Sequence, residues 1–304
     1  MKNDYQDFNK RVNKLLEMYL EQGLDLEPAG ICAFLAAKVP VAPRHEDDVF
    51  VTPNALLRCP LFRVAQSRAE RKRFHRHRLP LQGSREGYVE YTGEELRQSD
   101  GDVFMALLKN EQKTPGLAVV KLRQFTQKLG WGNSNDAVQR LEDSVIRLSA
   151  TNVEINSHFS QSKSSATAKK FSFSLVVKYE QEAPGVWLVY LDAKLHDVRK
   201  DMYTRIKDSH LTQLSSGAAL ASWLLKYFST HREPMPITFD ELRRFCGAAS
   251  VPKEFKRLAI SALQQLQKIG FLESFACEDE SLSVVRMPIE RDLDIDDWGA
   301  ADTP

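Results

Sequence analysis

The stretch FDELRRFCGAASVPKEFKRLAISALQQLQKIGFLESF, residues 239–275, decides how the rest of the chain is read. From Pro252 to Ile269 the apolar residues Phe255, Leu258, Ala259, Ala262, Leu263, Leu266 and Ile269 follow a helical period, which lines them along one face. The opposite face carries Lys253, Lys256, Arg257, Ser261, Gln264 and Lys268. Ser250 is the expected cap, Pro252 suits the first turn, and Gly270 suits the left-handed position just past the end. Phe239–Phe245 reads as a shorter helix, joined to the long one by the small-residue turn Cys246–Ser250. After Gly270 the period shifts toward two, through FLESF and SLSVVRM, around the acidic turn CEDE. Two helices, a tight turn and a hairpin describe a helix-turn-helix with a wing. One such unit alone is also served by a core helix pair with a solvated basic face.

The unit recurs upstream. MALLK (105–109) echoes SWLLK (222–226), LRQF (122–125) echoes LRRF (242–245), and QRLEDSVIRL (139–148) sits beside KRLAISALQQL (256–266). The shared order predicts an α+β fold of tandem winged-helix domains with a helical N-terminal extension. In the upstream copy a helix over 94–112, broken or bent at Gly101, precedes helices over 121–131 and 136–148. The last of these points Val138, Leu141, Val145 and Leu148 inward, with Asn135, Gln139, Arg140, Asp143 and Arg147 outward. Strands TNVEIN and KKFSFSLVVKYE flank SHFSQSKSSATA, a Ser-rich loop where a wing tip belongs, and GYVEYTG (87–93) and GVWLVYLDAKL (185–195) alternate as further strands. Residues 5–22 and 28–38 read as two more helices. The expected division is an extension with linker over 1–48, a first winged-helix domain over 49–195, a second over 196–290, and an acidic disordered tail over 291–304.

The formal net charge of +1 hides a segregation of charge. Residues 63–85 hold Arg63, Arg68, Arg71, Lys72, Arg73, Arg76, Arg78 and Arg85 against Glu70 alone, whereas acids dominate from Glu278 onward. A basic block beside two helix-turn-helix units reads as an arm or loop that contacts phosphates, through Arg68, Arg71, Lys72, Arg73, Arg76 and Arg78. Lys163 of the Ser-rich loop and Lys169 at its far end are expected to do the same. No run approaches the roughly 20 apolar residues needed to span a bilayer, and the N-terminus lacks a signal-peptide core, so the expected location is the bacterial cytoplasm. Cys32, Cys59, Cys246 and Cys277 are scattered, which fits reduced thiols and no zinc site.

No phosphate-binding loop, cofactor motif or metal cluster is visible, and no enzymatic activity is expected. His75 and His77 flank Arg76 near Tyr88 and Tyr91, a pattern that DNA-nicking enzymes use for a metal and a nucleophile. In those enzymes a bulky apolar residue between the histidines anchors the strand, and here it is a charged one.

TPNALLRCPLF, YVEYTGEELRQSDGDVFMALLK and WLLKYFSTHREPMP…LRRFCG…FKRLAISALQQLQKIGFL together resemble the TrfA-type plasmid replication initiators, over roughly residues 50–275. The resemblance implies two winged-helix domains that bind repeated origin sequences (iterons) in double-stranded DNA. It also implies opening of an AT-rich region, engagement of one exposed strand, recruitment of the host replicative helicase and sliding clamp, and a monomer–dimer equilibrium that restrains copy number. It nominates Lys253, Lys256, Arg257 and Gln264 of the second recognition helix, and Asn135, Gln139 and Arg140 of the first, for groove contacts. One departure is plain: Gln213-Leu214-Ser215 runs into Ser216-Gly217, without the apolar ending of the family's clamp-binding peptide. A dimeric winged-helix transcriptional repressor is the alternative reading of the same helices.

Overall fold

The computed structural model describes residues 2–21, 30, 33, 48–65, 69–82, 87–111, 116–157, 169–195, 198, 203–214 and 218–287. In chain order these form α1 (Lys2–Glu21), β1 (Val49–Pro53), the single turn α2 (Asn54–Leu57), β2 (Arg73–Pro80), β3 (Tyr88–Glu94), α3 (Gln98–Glu111), β4 (Leu117–Lys121), α4 (Leu122–Lys128) and α5 (Asn135–Ser149). There follow β5 (Asn152–Ser157), β6 (Lys169–Phe173), β7 (Val176–Ala183), β8 (Val186–Leu191), β9 (Tyr203–Lys207) and α6 (Asp208–Thr212). The last group is α7 (Ala219–Ser229), β10 (Ile237–Thr238), α8 (Phe239–Phe245), α9 (Pro252–Lys268), β11 (Leu272–Glu278) and β12 (Ser281–Arg286). The strands make four sheets, β1-β9, β2-β3-β5-β6, β4-β8-β7 and β10-β12-β11, in which every strand pair is antiparallel. The chain is α+β.

Two parts of it share one topology. In the first, α3, β4, α4 and α5 are followed by the hairpin β7–β8; in the second, α7, β10, α8 and α9 are followed by β11–β12. In both, the short strand before the helix pair joins the second strand of the hairpin, with Val119 opposite Leu188 and Ile237 opposite Leu282. The helices form where expected because their apolar faces are long and periodic. In α9, Phe255, Ala259, Ala262, Leu263 and Leu266 are buried, and in α5 Leu141, Val145 and Leu148 are. Most buried side chains of both units belong to one continuous apolar cluster, while Leu117 and Leu188 pack in a smaller one with Ala33, and α7 lies between α9 and α3.

Several expectations need correction. The hairpin matching β11–β12 is β7–β8, with its tip at Pro184-Gly185, whereas β5 and β6 belong to the sheet of β2 and β3. Residues 158–168, where the wing tip was expected, lie outside the described residues. The strand read as continuous from Lys169 divides because Leu175 and Val176 are both buried, which breaks the alternation of a single strand. At the break, Ser174 N–H donates to Asp192 Oδ2 and Leu175 N–H to Thr151 Oγ1, each at 3.3 Å, and the chain passes from one sheet to the next.

The basic block is no arm. Arg73–Pro80 is an edge strand, which pairs through its backbone and leaves its charges in water. Gly101 does not break α3, which runs on through it. A Cβ there would sit 2.9 Å from the Phe62 ring, so glycine serves close packing. Val251, not Ser250, caps α9, with Pro252 in its first turn and Gly270 at φ +73 beyond its end. Leu258 of α9, expected inward, is 39% exposed. The helix expected over 28–38 and the tail over 291–304 fall almost wholly outside the described residues.

Candidate nucleic-acid interface

The first recognition-helix candidate, α5, begins at Ser134, whose hydroxyl accepts from Ala137 N–H at 3.2 Å. Asn135, Gln139 and Arg140 are exposed on it, as expected. The Arg140 guanidinium lies 3.8 Å from the ring centre of Trp131, which stands in the turn between α4 and α5. Arg123 of α4 donates to Asn135 Oδ1 at 2.9 Å and Gln139 to Asp143 at 3.1 Å, so neighbouring side chains pre-position the polar face.

Arg147 departs from that face. Its guanidinium turns to Asp100 Oδ1, with Nη2 at 2.9 Å and Nε at 3.2 Å. Ser144 donates to the same oxygen at 2.5 Å, while Oδ2 accepts from Arg71 Nη1 at 2.7 Å and Arg97 N–H at 2.9 Å. The Asp100 side chain is wholly buried. Burial alone would raise its pKa, but Arg147, Arg71, Ser144 and the Arg97 amide outweigh that, and the carboxyl sits below its ordinary value. Arg71, expected to contact phosphates, is instead a half-buried structural residue.

In α9, Lys253, Arg257 and Gln264 are exposed as expected. Arg257 is held by Glu254 through bonds of 2.9 and 2.6 Å. Lys256 bends back to the β11–β12 tip, where it lies 3.0 Å from Glu280 and bonds to Asp279 O. That tip is acidic, with Glu278, Asp279 and Glu280 in succession. The helix thus presents its cations partly neutralised by carboxylates of the same unit.

On β2, Lys72 just before it, Arg73, Arg76 and Arg78 are exposed. Arg76 pairs with Glu90 at 2.8 Å, and Arg78 lies 4.4 Å from the Tyr88 ring centre. Arg68 and Lys163 lie outside the described residues, as does the side chain of Lys169, whose backbone is in β6. His75 and His77 do not share a face, because the strand bulges between Phe74 and His77 with Arg76 at φ +48. The Tyr91 hydroxyl is spent on Glu94 O, and burial pushes its pKa up, the reverse of what a nucleophile needs. Among the described residues no group of three metal-ligating side chains is assembled, and no helix is long and apolar enough to cross a membrane.

Sequence reasoning missed Asp100, Ser144 and Trp131. Only Trp131 left a signal, as an aromatic between the glycines of GWG in a helix-turn-helix turn.

Two solved structures of domains 2 and 3 of RctB are similar to this chain. One aligns over 79% of this chain and 99% of its own at 13% identity and a TM-score of 0.52. The other aligns over 74% and 95%, at 13% and 0.50. Identity this low shows a shared fold alone. The curated plasmid replication initiator protein TrfA of Escherichia coli is 25% identical over 243 residues, which cover 77% of this chain and 61% of that protein. The chain thus spans about three fifths of the length of that relative. The family model described as TrfA protein matches residues 35–286, and on that match the chain belongs to the TrfA protein family.

Proposed function

We propose that the protein initiates plasmid replication by binding direct repeats in origin DNA through two winged helices, assigned to residues 49–195 and 196–290. The observation that carries the reading is the duplicated unit, in which α5 and α9 each display polar side chains beside a hairpin. Each helix enters a major groove. Asn135, Gln139 and Arg140 read one group of base pairs, and Lys253, Lys256, Arg257 and Gln264 the other, each good base contact contributing ~1–3 kcal/mol of discrimination. The exposed cations of β2, namely Arg73, Arg76 and Arg78, with Lys72 beside them, meet phosphates and add affinity without sequence preference. No catalytic step is assigned. Opening of the adjacent AT-rich duplex and delivery of the host helicase follow from binding several repeats in register, in the bacterial cytoplasm. The protein's own family and the initiator relative support this reading.

The test is a footprint of the purified protein on the DNA flanking its gene, at moderate salt with competitor. Regularly spaced protection over direct repeats is the expected result. Protection of one inverted repeat at the promoter would instead make the protein a repressor, and permanganate reactivity of origin thymines separates the two. Arg257→Ala is expected to erase preference for the cognate repeat, while Arg73→Ala weakens all DNA about equally. A uniform loss in both would remove α9 from base readout.

A further inference from the structure

Between Pro60 and Val64 the chain crosses both units and bonds to each. Arg63 N–H donates to Leu96 O at 2.9 Å, and Arg63 O accepts from Gln98 N–H at 3.1 Å, which fixes the segment to the start of α3. Val64 N–H donates to Cys246 O at 2.8 Å, and Arg63 Nη2 reaches Gly247 O at 3.1 Å. Cys246 and Gly247 form the turn from which the chain enters α9. Gly247 has φ +66, and a Cβ there would lie 3.0 Å from the Arg63 side chain and 3.3 Å from Pro60. Nearby, Arg58 Nε donates to Thr230 Oγ1 at 2.9 Å, and Lys226 of α7 lies 2.5 Å from Asp102 and 3.3 Å from Gln98.

The segment therefore grips the second unit just before α9. It grips the first unit at the start of α3, whose Asp100 holds α5 through Arg147 and Ser144. Both recognition helices are referenced to one short strap.

We propose that Pro60–Val64 fixes the setting of α9 relative to α5, with Arg63 as the positioning residue, so that the protein selects the spacing of two base-pair groups as well as their sequence. The selectivity part rests on the DNA reading of α5 and α9; the positioning part does not. One extra base pair between the groups turns one against the other by about 35° around the duplex, a mismatch that a fixed pair of helices cannot follow. Arg63 itself acts through Gly247 and touches no base.

The experiment uses the full chain with Arg63→Met, which keeps the stem and removes the donor, and Arg63→Lys, which restores one. Spin labels are placed on Asp136→Cys in α5 and Ser261→Cys in α9. Cys32 and Cys277 are replaced by serine, while Cys59 and Cys246 stay because both are buried. Without DNA, the parent is expected to show one narrow label–label distance, Arg63→Met a broad or shifted one, and Arg63→Lys the narrow one again. Gly247→Ala, which presses on the same contact from the other side, should reproduce the shift even if Arg63→Met fails to fold. With DNA, repeats are rebuilt with one or two base pairs added or removed at the centre. Preference for the native spacing should fall about tenfold in Arg63→Met, the worth of one charge-assisted hydrogen bond, while affinity for a half-repeat is unchanged. An unchanged distance in both Arg63→Met and Gly247→Ala, or an equal loss on every spacing, overturns the proposal. A parent that binds no repeat, with the distance shift still present, sinks the DNA reading and leaves the positioning role standing.

Discussion

Replacing Asp100 with asparagine tests whether one buried carboxylate organises the first unit. Asp100 is wholly buried and receives two arginines, a serine hydroxyl and a backbone amide. Asparagine keeps the shape but turns an NH2 group toward either Arg71 and the Arg97 amide or Arg147 and Ser144. Two guanidiniums are then left with half a partner in a poorly solvated site. Removing one member of a buried ion pair costs ~3–5 kcal/mol. At about 2–4 °C per kcal/mol for a chain of this size, the melting temperature should drop by roughly 6–20 °C. Urea unfolding followed by circular dichroism at neutral pH measures the free energy directly. The pH dependence supplies an independent check. Because the folded pKa lies below the unfolded value of about 3.9, the carboxylate's contribution is fully present above that value. It is lost as pH falls through the folded pKa. The gap between parent and Asp100→Asn should therefore stay constant above about pH 5 and close only below about pH 4. A gap under about 1 kcal/mol at neutral pH, or one already closing near pH 6, would refute the assignment of Asp100 as the anchor of α5.

Glu280→Gln removes the carboxylate that neutralises Lys256 and leaves its bond to Asp279 O, so DNA affinity should rise several-fold and the salt slope steepen by about one, as anisotropy titrations across salt would show. Gly101→Ala drives a methyl into Phe62 and should cost ~1–3 kcal/mol in thermal melts, although alanine is the better helix former. Burial lowers the His231 pKa to about 4, so folding favours the neutral ring. Stability from this residue is present above the unfolded value of about 6.5 and declines as pH falls from there toward 4. His231→Gln should flatten urea midpoints across that window.

The helices α5 and α9 could be read from the sequence because an amphipathic helix carries its signal within its own residues. The duplication was legible for the same reason, since MALLK and SWLLK encode the same buried face of α3 and α7. What escaped depends on partners far along the chain. Asp100 in QSDGD looks like a surface acid, and its arginines lie 29 and 47 residues away. That the matching hairpin is β7–β8 turns on which strand pairs with β4, a long-range register that local alternation does not encode. The basic strand β2 reads as an arm or loop because its side chains are charged on both faces, which only an edge strand tolerates.

The grip of Arg63 on Gly247 joins residues 184 positions apart. During synthesis at about 5–20 residues per second, Arg63 emerges roughly 10–40 s before the carbonyl it will bind. For that interval the first half of the chain must hold its strap without the second, with the buried thiol of Cys59 and the ring of Phe62 close by. Synthesis of the second half, not of the first, is then the step at which the two helices acquire a common frame.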